Sequence, residues 1–478
     1  MEERKTDTHA VQTPALNKPL LWQELKNAII GIEADYTTIH LKRAIFLLAV
    51  PMILELVMES AFAVVDIYFV GKLGASAVAT VGLTETYLFL LYSIAMGLST
   101  AVMAIVSRRI GEKKPEAAAV AAVQAIFLAF FASVPFAVAG IFFSKELLAF
   151  MGADQWAIEN GYRYTQWMLG SNIVIVLLFM INAVFRGAGD PAVSMRILWI
   201  SNGINMLLCP LLIMGWGPVP AMGIEGAAIA TTIGRGTGVL VQFWLLFRGG
   251  KHIRVSRSQI RWDGSVFTGI LRTGLGGMGQ MIIAMTSWIF LMRILAEVGS
   301  TAVAGATIAM RIMMFTMMPA WGMANAAATL VGQNLGAGNP DRAESAVWKT
   351  GFYNMIFLLG VSLVYFFFNE NLMQVFTKEK QVIAVGAEWL RILSFSYFVY
   401  GWWMVSTSAF NGSGDTKTPT LINLVFFWLI QIPLSYFLAI HQDMEELGVF
   451  WAVFFSETSV GIFTLLLFRR GRWKETRV

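Results

Sequence analysis

Twelve long apolar segments, separated by short polar ones, constrain the fold of this chain more than any other feature of its sequence. Each has roughly 20 residues or more, the length that an α-helix needs to cross a bilayer. A backbone in lipid must satisfy its hydrogen bonds internally, so the segments are predicted to be membrane-spanning helices. The expected fold is an all-α integral membrane protein without a soluble domain.

The twelve predicted spans fall into two sets of six. The first set is expected at 45–70, 77–107, 117–143, 157–185, 191–214 and 223–247. The second set is expected at 274–296, 302–331, 344–368, 387–410, 419–440 and 447–468. The predicted domains are an N-terminal segment 1–44, a first lobe 45–247, a linker 248–273, a second lobe 274–468 and a basic tail 469–478.

The second half of the chain repeats the first at a constant offset. Gly74 aligns with Gly299, an offset of 225 residues, and the same offset relates several other pairs. These pairs are Gly111 and Gly336, Pro115 and Pro340, Gly223 and Gly448, Ala227 and Ala452, and the segments 187–190 and 412–415. Because each half contains an even number of spans, the lobes are expected to be parallel repeats with a substrate cavity between them.

The basic residues lie in loops on one side of the predicted bundle. Lys and Arg follow spans two, four and six and fill the tail, whereas the opposite loops are poor in basic residues. By the positive-inside rule both termini are cytoplasmic, and the expected location is the plasma (inner) membrane. The net charge of +5 comes from these loops and does not indicate nucleic-acid binding.

The composition also limits the possible cofactors. The single cysteine excludes an intrachain disulfide and a multi-cysteine metal cluster, and none of the four histidines lies inside an apolar run. We therefore expect no cofactor and no haem, and a membrane enzyme is disfavoured because no nucleophile or metal set is present.

Three acidic residues interrupt the first apolar run. Relative to Glu55, Glu59 is rotated by about 40° and Asp66 by about 20°, so the three carboxylates share one helix face. Acids inside a membrane usually face a bundle interior or a wet cavity, which indicates proton or cation handling. The alternative is that they pack against polar partners on other helices. At the repeat offset, all three are replaced by uncharged residues.

Other polar residues are predicted to lie at a depth similar to that of Asp66. They are Asn205 and Cys209, which share one face of span five, Thr231 on span six and Glu85 on span two. An acid, an amide oxygen and a hydroxyl at one depth are suited to a small cation, or to a network around a proton. Interhelical hydrogen bonding is the alternative for Asn205 and Thr231.

Methionines and aromatic residues are concentrated on spans eight and ten. Met310, Met314, Tyr400 and Trp403 are the candidate substrate-binding residues. Flexible thioethers and π faces suit a pocket for varied flat cations, and the alternative is packing in the core or against lipid.

Several motifs resemble those of the multidrug and toxic compound extrusion (MATE) transporters. The segment 65–74 (VDIYFVGKLG) resembles the first-helix signature of that family. The segments 185–190 (FRGAGD) and 410–416 (FNGSGDT) resemble its paired motifs after helices four and ten. The resemblance extends over about residues 45–468.

The resemblance implies cation-coupled export of organic, often cationic, compounds. It assigns the helix-one acid of the first-lobe site to Asp66 and an Asn to Asn205, whereas the family's helix-five Asp is replaced by Cys209. Some members carry acids on helices seven and ten; here helix seven has none in its interior, and Glu388 lies at the outer end of helix ten. We therefore expect protons rather than sodium to be the coupling ion, with Glu59 supplying the missing charge.

A second class of function also fits the predicted architecture. A flippase or exporter for lipid-linked precursors or other metabolites would prefer a more basic cavity, which Arg186, Arg235, Arg293 and Arg311 leave open. The expected partners are a small organic substrate and membrane lipid, and the protein is expected to be a monomer.

Overall fold

The structure is a computed structural model that describes residues 21–249 and 252–476. Within these ranges it contains helices and no β-strand. The predicted N-terminal segment, linker and tail therefore extend partly outside the described residues.

Helices of the first half follow one another with short connections. They are α1 (Leu21–Ile30), α2 (Leu41–Gly71), α3 (Ala75–Gly111), α4 (Pro115–Phe150), α5 (Tyr162–Gly170), α6 (Asn172–Ala188), α7 (Pro191–Met214) and α8 (Ile224–Arg248). A π-helical turn, Ala157–Gly161, leads into α5, so that span four runs from Ala157 to Ala188.

The second half has the same plan with more irregular helices. They are α9 (Gly264–Val298), α10 (Ser300–Gly336), α11 (Pro340–Gln374), α12 (Lys380–Ser394), α13 (Tyr397–Ser413), α14 (Lys417–Asn423), α15 (Ile432–Tyr436) and α16 (Glu445–Arg469). Two π-helical segments, Leu424–Gln431 and Phe437–His441, join α14 and α15 into one span, Lys417–His441.

The twelve-helix prediction agrees with this structure. Ten helical segments are long and apolar enough to cross a membrane, and α12 with α13 forms an eleventh span that is bent by 62°. The twelfth is α8, whose 25 residues include the buried Arg235. The third span is longer than its predicted 117–143 because the helix continues through a kink at Phe143 to Phe150.

The internal repeat is visible in the backbone geometry. Phe143 has φ −127° and ψ 21°, and Phe368, 225 residues later, has φ −125° and ψ 21°. Gly189 and Gly414 end their helices in the left-handed conformation, with φ 88° and 93°. Glycine adopts this conformation without steric cost, which explains why both copies of the motif keep it.

Pairs of glycines let the two lobes approach each other closely. A Cβ added at Gly111 would lie 2.0 Å from the backbone oxygen of Gln333, and one added at Gly336 would lie 2.2 Å from that of Arg108. These two contacts are related by the 225-residue offset, and Gly332 meets Ser107 between them. The carboxyl-terminal ends of α3 and α10 therefore cross at the pseudo-two-fold axis that relates the lobes.

This crossing closes one end of the bundle, which we name the basic end because it carries the loops 112–114 and 337–339. Along α10, residues 320–334 are almost all buried, whereas burial alternates over residues 300–319. Among the described residues, every hydrogen bond between a lobe and the other lobe lies at the basic end, as in Gln333 to the Gly187 carbonyl at 3.0 Å. The lobes are therefore joined tightly at this end only.

Both chain termini also link the two lobes at the basic end. Asp35 forms a 2.7 Å ion pair with Lys113 of the first lobe, while Arg342 of the second lobe donates to the Tyr36 carbonyl at 3.1 Å. Partial burial raises the pKa of Asp35, but hydrogen bonds from Lys113 and Thr37 outweigh it and lower that pKa to about 2. The ion pair therefore persists over the physiological pH range.

The tail after α16 forms a second link between the lobes. Lys474 contacts Glu344 on α11 at 2.6 Å, and the carbonyl of Thr476 accepts a hydrogen bond from Arg108 on α3. At the other terminus, α1 packs against α2, where Glu24 pairs with Arg43 at 3.1 Å. Opening of the basic end therefore requires contacts of both terminal segments to break.

We expect Gly111→Ala to weaken closure of the basic end, because the new methyl group would overlap the Gln333 backbone. Overpacking of this kind costs about 1–3 kcal/mol, or roughly a tenfold or larger shift toward the open state. Distances between spin labels at residues 113 and 337 would measure this shift. Gly82→Ala on the same helix is the control, since nothing lies within 4 Å of its added Cβ. Equal distance distributions for the two variants would contradict the prediction.

Candidate functional site

The candidate site is built on α2, which packs between α7 of the first lobe and α10 of the second. Pro51 lies inside α2, where it removes one intrahelical hydrogen bond and favours a bend. The three acids predicted to share one helix face follow this position. The structure gives each of them a different partner.

Glu55, the acid closest to the basic end, is neutralised by an arginine. Its Oε1 accepts a 2.9 Å hydrogen bond from the guanidinium of Arg186, at the end of α6. Glu55 is 4% exposed, and the Arg186 carbonyl in turn accepts from Thr329 of the second lobe at 3.2 Å. This pair therefore lies next to the contact between the lobes.

Glu59 is also balanced by an arginine. Its two oxygens accept hydrogen bonds from Arg235 on α8 at 3.1 Å and from Asn202 on α7 at 2.9 Å. The Arg235 guanidinium lies 5.7 Å from the centre of the Phe62 ring, one turn further along α2. A buried ion pair of this kind holds α2, α7 and α8 together.

Asp66 has a different environment from the other two acids. Its Oδ1 lies 3.5 Å from the Cys209 sulfur, and no basic side chain of the described residues lies within ion-pair distance of it. A thiol is a weak donor and leaves most of the acceptor capacity of the carboxylate free. Asp66 is therefore the acid of α2 that is open to an incoming proton or cation.

The neighbouring residues extend this site along α7 and α8. Asn205, one turn before Cys209, donates to the Thr231 hydroxyl at 2.9 Å, and its Oδ1 is buried without a hydrogen-bond partner. Glu85 on α3 is exposed and lies within electrostatic range of both Asp66 and Arg311 of α10. The structure thus brings most of the predicted coupling residues to one region, in which oxygen acceptors remain available.

This arrangement suits a proton better than a hard metal ion. A Ca²⁺- or Na⁺-type site needs several oxygen ligands around one point, whereas Asp66 faces a sulfur, a poor ligand for hard cations. Within residues 21–249 and 252–476, no group of three acidic, His or Cys side chains forms a metal-binding cluster. Transfer of a single proton requires only one accessible carboxylate.

The predicted substrate residues lie in the second lobe and differ in exposure. Tyr400 is buried, and its ring packs edge-on against that of Trp403, with centroids 5.7 Å apart. Met310 is partly buried against the same core, whereas Met314 is exposed on α10. Tyr400 and Trp403 are thus core residues in this conformation, and Met314 alone among the four is exposed.

Sequence reasoning did not assign roles in this site to Asn202 and Arg235. Arg235 lies inside an apolar span, and a buried arginine in lipid requires an acidic partner. That requirement is the signal that points to Glu59, since the two residues are expected at similar depth. Asn202 carried no comparable signal, because a single amide in a membrane helix has many possible partners.

We expect Arg235→Met to destabilise the protein strongly, because it leaves the Glu59 carboxylate without its counterion. Breaking one partner of a buried pair costs about 3–5 kcal/mol, and the double variant Glu59→Gln with Arg235→Met should recover most of this loss. Thermal unfolding in detergent would measure both. The matched control is Arg293→Met, whose side chain is 79% exposed. A single variant as stable as the wild type would contradict the proposed pairing.

Comparisons with known proteins agree with the fold and the repeat. A family model described as MatE matches residues 51–211 and 278–437, about two thirds of the chain. The two matches cover corresponding parts of the two lobes. This relation is independent of the structural model.

Two relatives are similar over most of their lengths. "Probable multidrug resistance protein YoeA" of Bacillus subtilis (strain 168) is 25% identical over 91% of this chain and 95% of its own length. "FAD transporter" of Shewanella oneidensis (strain MR-1) is 25% identical over 82% of this chain and 87% of its own.

A solved structure has the same fold. It is described as "Outward-facing conformation of a multidrug resistance MATE family transporter of the MOP superfamily", with 24% identity and a TM-score of 0.84. The match covers 92% of this chain and 98% of that one.

Proposed function

Since the chain belongs to the MatE family of multidrug and toxic compound extrusion transporters, we propose that it exports organic cations by alternating access in exchange for protons. The observation that carries the proposal is the isolated carboxylate of Asp66. It lies at the depth of the first-lobe site, it is open to a proton, and its neighbours Glu55 and Glu59 are already balanced by arginines. A change in the charge of Asp66 is therefore not compensated locally.

The proposed transport cycle begins from the conformation described above. With the positive-inside rule, the basic end lies in the cytoplasm of a bacterial-type inner membrane, so the closed end is the cytoplasmic one. The structure then represents a state open to the outside, in which Asp66 takes up a proton. Neutralising Asp66 weakens its attraction for a bound cation and favours the return to the inward-open state.

The distribution of arginines supports a cationic rather than an anionic substrate. Arg186 and Arg235 are paired with acids, and Arg293 lies 4.0 Å from Glu297. Arg311 is exposed, but it lies within electrostatic range of Glu85. The described residues thus offer no cluster of free basic groups for an anionic headgroup or a phosphate.

The FAD transporter among the relatives makes export of a metabolite the second candidate function. Proteoliposomes loaded with either a fluorescent organic cation or FAD would separate the two. Proton-driven movement of the organic cation and not of FAD supports the first candidate, and the reverse result supports the second.

We expect Asp66→Asn to abolish proton-driven efflux and to leave folding intact, because the amide keeps the size of the side chain and cannot bind a proton. Dye efflux from vesicles with an imposed pH gradient is the measurement. Glu116→Gln, at the start of α4 and far from the site, is the control. Full efflux by the Asp66 variant would refute its role in coupling.

A further prediction concerns the choice of ion. Efflux should follow a pH gradient without sodium and should not follow a sodium gradient without a pH difference. Cys209→Asp should introduce sodium dependence, because it places a second carboxylate beside Asp66, where the sulfur now lies. Cys209→Ser is the control of similar size. Wild-type efflux that follows sodium alone would refute proton coupling, and an inert Cys209→Asp would remove α7 from the ion site.

A further inference from the structure

A second acid lies deep in the membrane region, far along the chain from the acids of α2. Glu457 is 12 residues from either end of α16, which places it about 18 Å from both ends of that helix. It is 6% exposed. Across residues 21–249 and 252–476 it forms no hydrogen bond or ion pair, and its Oε2 is fully enclosed without a partner.

The surroundings of Glu457 follow from the packing of three spans. Trp403 of α13, Phe427 of the π-helical segment and Val460 of α16 meet in one cluster, with the two rings 6.0 Å apart. Helices α13 and α16 run toward the basic end, whereas the span 417–441 runs away from it. One turn away from the basic end, each of the three presents its next side chain to the same place.

Those three side chains are Tyr400, Gln431 and Glu457. Each is buried, at 3%, 2% and 6% exposure. Each also carries a polar atom without a hydrogen-bond partner: the Tyr400 hydroxyl, the Gln431 Nε2 and the Glu457 Oε2. Unsatisfied buried polar groups are rare because each costs about 1–3 kcal/mol. Three at one level indicate a built polar site, and Gln431 closes a π-helical segment, a structure frequent at functional sites.

The charged groups on the helices around α16 lie elsewhere. On α12, Glu388 is half-buried and Arg391 exposed; on α9, Arg272 is exposed and Arg293 is next to Glu297. Lys417, Tyr436 and His441 of the neighbouring span are exposed. On α13 the titratable groups are Tyr400 and Tyr397, and Tyr397 lies within electrostatic range of Glu457 but is already bonded to Thr316 at 2.9 Å.

An ionised carboxylate without a counterion is costly in such a setting, whereas the neutral acid is not. The two other groups at this level, a phenol and a primary amide, are both donors that are able to stabilise the carboxylate once they reach it. Small movements of α13 and α16 therefore change the affinity of Glu457 for a proton. The corresponding position of the first lobe is Thr232, so the device belongs to the second lobe alone.

We propose that Glu457, with Tyr400 and Gln431, forms a second proton-binding site in the second lobe. Glu457 is neutral in the present conformation. It releases its proton to water when the lobe rearranges so that the Tyr400 hydroxyl and the Gln431 amide donate to the carboxylate. One proton is bound or released, and no other bond is made or broken.

This inference goes beyond the proposed coupling through Asp66, and its test needs no transport. Infrared difference spectra of the purified full-length protein in lipid nanodiscs, recorded as a function of pH, report protonated carboxyl groups directly. We expect a carboxylic-acid carbonyl band at neutral pH that is lost as the pH rises. Glu457→Gln should lack this band, whereas Asp66→Asn and the exposed control Glu370→Gln should keep it.

Glu457→Asp keeps a carboxyl group and should retain a band at a shifted frequency, which serves where Glu457→Gln does not fold. Three results would overturn the site: no difference between the wild type and both Glu457 variants, a band that does not change between acid and alkaline pH, or a band that responds to sodium at constant pH. Loss of the Glu457 band together with full efflux by Asp66→Asn would contradict the proposed coupling alone, and the reverse combination would contradict this site alone.

Discussion

Close contact between the backbones of α3 and α10 is the constraint on which the rest of this structure depends. At the pseudo-two-fold axis, glycine and serine replace the large side chains that would hold two helices apart, and the lobes meet through Gly111, Gly332 and Gly336. Because these contacts lie at one end, the rest of each lobe is free to diverge. The geometry that joins the lobes thus also decides which end of the molecule is accessible.

The repeat supplies a symmetric frame, and the buried charges make it asymmetric. The first lobe carries Glu55, Glu59 and Asp66 on α2, while the corresponding positions of the second lobe are uncharged. Two of the three acids are balanced by Arg186 and Arg235, so the ionic interactions fix helix positions and leave one carboxylate for chemistry. Packing specificity and ion handling, which the sequence offered as alternatives, therefore both apply, each to different members of the same row.

The fold was largely predictable because lipid allows few backbone structures. Hydropathy gave twelve spans, and the offset between Gly74 and Gly299 gave the repeat, including features that sequence did not show, such as the paired kinks at Phe143 and Phe368. The partners of the acids were less predictable, because helical periodicity defines a face but not the helix that it meets. Glu457 was missed for a related reason: it is a single acid in its span, without the one-face spacing that drew attention to α2.

The two terminal segments have a consequence for how the resting state is set. Segment 31–39 and the residues after α16 touch both lobes, yet neither belongs to a transmembrane helix. They act as external braces, so the energy difference between the two orientations is divided between the bundle and its ends. Shortening, fusing or chemically modifying either end would then change the resting bias of the molecule while the ion-binding chemistry stays the same. A terminal affinity tag on this protein is for that reason a thermodynamic perturbation as well as a purification handle.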